Sequence, residues 1–313
     1  MKYLKRGFTL ILILLVLFSI IGCSIKSNHV DGISPKEMAR SIFPKSETSG
    51  SIDKFVEIYQ DIIIKKKETL NLREKSEDFL LYNKENPSTK GVLLIHGLGA
   101  SPNEVLPLGE YLYEKGFTVI GVRLSGHGEG LDALEDSTWE DWYNDVEFGL
   151  EVLKYLTEET HVVGVSTGGS LALMLAENTE FHELVVVAPA VVMKDWKVNY
   201  MWLFKHFKKY SARTLTEEEK ITYDEAVPTQ SVHELKKLIN AEKKTLDKIT
   251  EPVLIIQATQ DPRVKNESAE YVYEHISTKN ESKRIKWIES DKHVILAGDT
   301  QEEVFSNILG FLS

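Results

Sequence analysis

The sequence predicts an α/β domain: a mostly parallel central sheet with helices on both faces and a helical cap insertion late in the chain. Three observations carry this. From about Asp78 onward, short apolar runs alternate with helical segments. Those runs (Val92-Leu93-Leu94-Ile95, Val185-Val186-Val187) are too uniformly hydrophobic for a sheet with one wet face, and they suit strands covered on both sides. The alternation stops between Pro189 and Thr250 and then resumes. At 313 residues, 42% hydrophobic and 27% charged, the chain has material for one large domain or two small ones, and disorder is not its default state.

Taken in order, the chain opens in a different physical regime. Lys2, Lys5 and Arg6 precede an uncharged stretch, 8–21, too short to span a bilayer comfortably. Residues 1–22 read as a secretory signal, with an uncleaved anchor helix as the competing reading. The only cysteine, Cys23, follows Ile20-Ile21-Gly22 directly. This resembles the lipobox of bacterial lipoproteins, with Ile20 where Leu is usual. The resemblance implies that Cys23 is diacylated and becomes the mature N-terminus, anchoring an exported protein to the outer face of a bacterial cell membrane. With Cys23 used so, no thiol remains for a disulfide or a metal–thiolate site. Residues 23–51 are polar and unpatterned, a tether that would span roughly 30 Å as a flexible coil.

The domain proper, 52–313, opens with a first helix expected at 52–64, where Ile52, Val56, Tyr59 and Ile63 stand at helical spacing. Strands are expected at 79–82, 92–96, 118–122, 161–165, 184–188, 253–257 and 284–288. Helices are expected at 103–115, 138–156, 168–177, 265–276 and 301–312. The best defined is 138–156. Ser137 with Glu140 reads as a capping box, and Trp139, Trp142, Val146, Leu150 and Leu153 form one apolar stripe. These tryptophans read as core. The insertion, about 190–250, carries an aromatic cluster that includes Trp196, Trp202 and Phe204. It should sit above the carboxyl ends of the strands as a lid, and those three residues are the candidate substrate contacts. A net charge of −11 argues against a nucleic-acid partner, because phosphate binding needs a basic surface.

The chemistry concentrates in three places. Gly164-Val165-Ser166-Thr167-Gly168-Gly169 follows a strand and opens a helix, the setting of a nucleophile elbow, which exposes the serine oxygen at a helix N-terminus. Upstream, His96-Gly97-Leu98-Gly99 follows another strand; the backbone N–H groups of Leu98 and Thr167 would converge as an oxyanion hole. His96 reads as structural, being early in the chain for a base. After the insertion, Asp261 sits in the turn behind strand 253–257 and His293 behind strand 284–288, which gives the chain order Ser166, Asp261, His293. Serine needs an adjacent base to become a nucleophile, imidazole supplies one near neutral pH, and a carboxylate holds the imidazole in the productive tautomer. Asp291 and Asp299 compete for the acid role; the first lies very near His293 in sequence, the second toward the last helix.

With Val122-Arg123-Leu124-Ser125-Gly126-His127-Gly128, Thr138-Trp139-Glu140-Asp141-Trp142, His96 to Pro102 and Ser290 to Leu296, the region 79–313 resembles the bacterial carboxylesterase and monoacylglycerol lipase group of the α/β-hydrolase fold. Two positions depart from that pattern: Thr167, where many members have Met or Leu, and Ala258, where a glycine often precedes the acid. The resemblance implies hydrolysis of short- to medium-chain acyl esters or monoacylglycerols through an acyl-enzyme, without metal or cofactor. A tethered enzyme with an aromatic cap suits a lipid-derived ester. Peptidase, thioesterase and acyltransferase activities share the same triad and stay open, as does a non-catalytic binding lipoprotein.

Overall fold

A computed structural model describes residues 49–200 and 209–313. Cys23, most of the tether, Trp202 and Phe204 lie outside the described residues. The strands are β1 (Phe79–Leu81), β2 (Lys90–Ile95), β3 (Thr118–Val122), β4 (Glu159–Val165), β5 (Glu183–Val187), β6 (Tyr210–Ala212), β7 (Ala226–Pro228), β8 (Val253–Ala258) and β9 (Lys283–Ile288). The central sheet runs β1-β3-β2-β4-β5-β8-β9. It is parallel throughout except for β1, which pairs antiparallel with β3 at the edge. All seven expected strands are present, and the mostly parallel sheet with helices on both faces is that of an α/β hydrolase.

The helices are α1 (Ser49–Thr69), α2 (Leu106–Glu114), α3 (Leu131–Asp136), α4 (Trp139–Leu156), α5 (Thr167–Ala176), α6 (Glu219–Thr222), α7 (Thr229–Glu242), α8 (Glu267–His275) and α9 (Gln301–Leu309). Successive strand residues point to opposite faces, so uniformly apolar strands feed two cores. Leu93 and Ile95 of β2 join Ile120, Val162 and Val186 under α1, α4, α5 and α7. Val92 and Leu94 join Val119, Val163, Val187 and Ile256 under α2 and α9. Each such fully buried side chain contributes about 1.5–3 kcal/mol of transfer free energy.

Helix α1 runs beyond the expected 52–64 because Lys65 to Glu68 are helix formers without an apolar stripe. It buries Phe55, Val56, Tyr59 and Ile62, and Phe55 stacks on Tyr155 with ring centres 4.2 Å apart. The cap of α4 differs from expectation. The box is made by Thr138 and Asp141, one residue later than Ser137 and Glu140. Thr138 Oγ1 accepts from the Asp141 N–H (3.3 Å) and Asp141 Oδ2 accepts from the Thr138 N–H (2.9 Å). Ser137 is engaged elsewhere: its hydroxyl donates to the Leu134 carbonyl and accepts from Trp142 Nε1 (3.0 Å), closing α3 onto α4. Trp142 is fully buried, as expected of core.

The insertion is not purely helical, which corrects that part of the expected fold class. Besides α6 and α7 it contains the antiparallel hairpin β6–β7, in which Tyr210 pairs with Pro228 and Ala212 with Ala226. Three-residue strands have no periodicity to read. Helix α7 packs against α5 and α3, burying Leu235, Leu238 and Ile239, and so roots the insertion in the core.

The cap assignment is testable by urea unfolding. Thr138→Ala should cost about 1 kcal/mol, whereas Glu140→Ala should be nearly neutral; equal costs would contradict the Thr138–Asp141 box.

Candidate active site

Ser166 stands between the end of β4 and the start of α5 with φ 52° and ψ −112°, a conformation that costs a non-glycine residue about 1–3 kcal/mol. The surroundings hold it there. Its N–H donates to Val187 O (2.9 Å), and its carbonyl accepts from the N–H groups of Ser170 and Ala190 (3.2 Å each). The flanking glycines answer to sterics. A Cβ on Gly164 would lie 2.1 Å from the Gly168 carbonyl oxygen, and one on Gly168 would lie 2.3 Å from the Ile95 carbonyl oxygen. The elbow therefore packs backbone directly on backbone.

His293 follows β9 and Asp261 follows β8, and the two meet beside Ser166. His293 Nε2 is 2.9 Å from Ser166 Oγ, and His293 Nδ1 is 2.7 Å from Asp261 Oδ2. Asp261 is fully buried. Its second oxygen accepts from the N–H groups of Arg263 (2.7 Å) and Val264 (2.9 Å). Burial pushes the Asp261 carboxyl up, but the hydrogen bond and charge of His293, with those two N–H groups, outweigh it and hold the pKa below the ordinary carboxylate value. The competing acids, Asp291 and Asp299, are exposed.

The loop after β2 lies against the elbow: a Cβ placed on Gly97 would come 3.4 Å from Ser166 Cβ. His96 is fully buried, with Nδ1 2.9 Å from the Gly97 carbonyl and Nε2 accepting from the Leu124 N–H (3.2 Å). Burial lowers its pKa to about 4, so it is neutral at physiological pH. The Gly97 N–H donates to Glu104 Oε2 (2.7 Å). Leu98 is half-buried and Thr167 fully buried, each at the end of the element expected to present its N–H. Of the proposed cap contacts, Trp196 is 60% exposed, with its ring edge-on to Tyr200, and takes no part in the Ser166–His293–Asp261 chain.

A serine hydroxyl hydrogen-bonded to an imidazole, itself hydrogen-bonded to an ionised carboxylate, is equipped for nucleophilic attack with proton transfer. The family model described as "Serine aminopeptidase, S33" (Hydrolase_4) matches residues 86–301, more than half of the chain. The chain belongs to this family. It is similar to a carboxylesterase of Bacillus subtilis (strain 168), 29% identical over 228 residues that span 71% of this chain and 92% of the relative. It is also similar to a thermostable monoacylglycerol lipase of Bacillus sp. (strain H-257), 30% identical over 227 residues, spanning 71% and 90%. Among solved structures, the metagenome-derived lipolytic enzymes LipS and LipT provide a match with TM-score 0.71 over 77% of this chain and 98% of the other, at 23% identity, a likeness of fold.

In this S33-family chain the two departures noted in the sequence fall at structurally tight positions. Thr167 and Ala258 are both fully buried, and Thr167 Oγ1 has no hydrogen-bond partner among the described residues. Sequence reasoning missed Glu104, Arg213 and Tyr223, which surround the loop after β2. Arg213 reaches that loop across more than a hundred residues of chain, and no local pattern marks it.

Because the fold lowers the Asp261 pKa, the carboxylate contributes stability that is fully present above its unfolded value near 4 and is lost as pH falls through the folded value. The Asp261→Asn variant should lack that component, giving a shallower fall of Tm on acidification below pH 4. Its Ser166 should also react about 10³-fold or more slowly with a fluorophosphonate. Wild-type labelling in that variant would remove Asp261 from the site.

Proposed function

We propose that the chain is a serine esterase that hydrolyses carboxylic esters through an acyl-enzyme. One observation carries the reading: Ser166, His293 and Asp261 are hydrogen-bonded in series at the ends of β4, β9 and β8. His293 Nε2 takes the proton of Ser166 Oγ as that oxygen attacks the acyl carbonyl. The N–H groups of Leu98 and Thr167 receive the oxyanion, and His293 returns the proton to the departing alcohol. Water then repeats the sequence on the acyl-serine. Asp261 keeps Nδ1 protonated and stabilises the imidazolium throughout. These steps balance without metal or cofactor.

The names of two relatives, a carboxylesterase and a monoacylglycerol lipase, support an ester or monoacylglycerol-type substrate; a short- to medium-chain acyl group is our reading of it. We place the enzyme outside the cell, held to the membrane by a lipid on Cys23, on the strength of the charged start, the uncharged run and the lone cysteine behind Gly22. Among the described residues no helix is long and apolar enough to cross a membrane. An anchored enzyme whose cap carries Trp196, Trp202 and Phe204 suits an amphipathic, lipid-derived ester.

The fragment from Ser24 should hydrolyse a p-nitrophenyl ester series from acetyl to palmitoyl with a maximum at one chain length. Its Ser166→Ala variant should fall to residual turnover with an unchanged fold. The family description names an aminopeptidase, so aminoacyl-p-nitroanilides belong beside the esters; cleavage of these with silence on every ester would replace esterase by peptidase. In the full chain, Cys23→Ser should abolish labelling by a fatty-acid analogue and leave intrinsic activity unchanged. Retained labelling would contradict the lipid site.

A further inference from the structure

The loop that should supply the Leu98 N–H is held from three directions. Its first carbonyl, Gly97 O, lies 2.9 Å from His96 Nδ1 and accepts from the Ala100 N–H (3.2 Å). The other two are held from the insertion. Arg213, immediately after β6, spreads its guanidinium over both: Nη2 donates to Leu98 O (2.9 Å) and Nη1 to Gly99 O (2.8 Å). The Asp224 N–H adds a bond to Gly99 O (2.9 Å). Each peptide unit is planar, so the Leu98 N–H shares its plane with the Gly97 carbonyl; holding the Leu98 carbonyl fixes the next plane, and with both planes fixed the chain cannot turn about Leu98. Gly99, at φ 63°, completes the turn.

The clamp is itself braced. The Arg213 N–H donates to Glu225 O (2.8 Å), extending the β6–β7 pairing, and the guanidinium lies over the Tyr223 ring at 5.9 Å. Tyr223 is hydrogen-bonded to Glu104, the carboxylate that receives the Gly97 N–H. Arg73 ties the same segment to the core, donating to the Ile221 and Thr222 carbonyls and pairing with Asp224 at 2.6 Å.

We propose that Arg213 is a positioning residue for the esterase reaction: from the cap hairpin it clamps the Leu98 and Gly99 carbonyls, fixes the peptide that follows Leu98, and so stops the preceding peptide from turning its Leu98 N–H away from the developing oxyanion. The inference rests on the esterase reading above and adds that the cap completes the catalytic loop as well as covering it. A planar two-pronged donor is required, because a lysine ammonium is a compact point charge without the rigid fork that spans two carbonyls.

The experiment compares wild type, Arg213→Met and Arg213→Lys on the best short p-nitrophenyl ester. Deleting an oxyanion donor outright costs 10²–10³ in kcat, so a misdirected one should cost about ten- to a hundredfold. In Arg213→Met, kcat should fall by that factor with KM within about twofold. Affinity for a trifluoromethyl ketone, which forms an oxyanion on Ser166, should fall in parallel, and affinity for the product acid should not. Arg213→Lys should recover only part of the loss. A kcat within twofold of wild type, a loss carried by KM alone, or an unchanged trifluoromethyl ketone affinity would overturn the proposal. Circular dichroism and Tm check the fold; if Arg213→Met does not fold, the same criteria apply to Arg213→Lys. A wild type silent on esters and unlabelled at Ser166 would instead defeat the esterase reading.

Discussion

The site depends on one backbone contact. Gly168, in the first turn of α5, lies so close to the Ile95 and His96 carbonyls at the end of β2 that no side chain fits between them. That contact puts the start of the nucleophile helix and the start of the neighbouring loop within touching distance. It also lets Gly97 approach Ser166, and it leaves Ser166 in a backbone conformation it would not adopt alone. The strain is sustained because β4 is paired on both sides, with β2 and β5, and its residues from Thr160 onward are buried. A sheet that could slip would relax the elbow and lose the placement of Ser166.

The scaffold places Asp261 and His293 in the same way, at the ends of the adjacent parallel strands β8 and β9. Asp261 is turned back on itself by the N–H groups of Arg263 and Val264, so one oxygen is spent on its own loop and the other faces His293, with Gln257 Nε2 donating to it at 3.3 Å. Those bonds let a carboxylate stay ionised although it is wholly inaccessible to water, and an ionised partner is what an imidazolium intermediate needs.

The strands, the serine turn and the meeting of Ser166, Asp261 and His293 were legible because each rests on a local pattern: an apolar run, a glycine pair around a serine, a titratable residue a few positions after a strand. The Ser137–Glu140 box failed by one residue, since Thr138–Asp141 fits the same pattern and only the contact between Ser137 and Trp142 separates them. The β6–β7 hairpin was invisible, its strands being three residues long and its turn-side residues polar. Glu104 and Arg213 were beyond reach for a different reason. Their partners are backbone atoms of the loop after β2, and a bond to backbone leaves no trace in the identity of the partner residue.

His96 and His293 show how environment, not residue type, suits an imidazole to proton transfer. The His96 carbonyl lies against Gly168, yet one ring nitrogen accepts the Leu124 N–H while the other faces the Gly97 carbonyl, and burial lowers its pKa to about 4. With both nitrogens engaged and the charged form disfavoured, it has no lone pair for a serine proton, and its effect falls on the carbonyl of the peptide whose N–H belongs to Leu98. His293 has one nitrogen on an ionised carboxylate and the other on Ser166 Oγ. The carboxylate repays the charge that proton uptake creates; the ring of His96 is hydrogen-bonded to backbone instead, and the Asp78 charge that favours its protonation is outweighed by burial. Exchanging the two roles would require moving a buried acid across the sheet, so the division follows from where β8 ends.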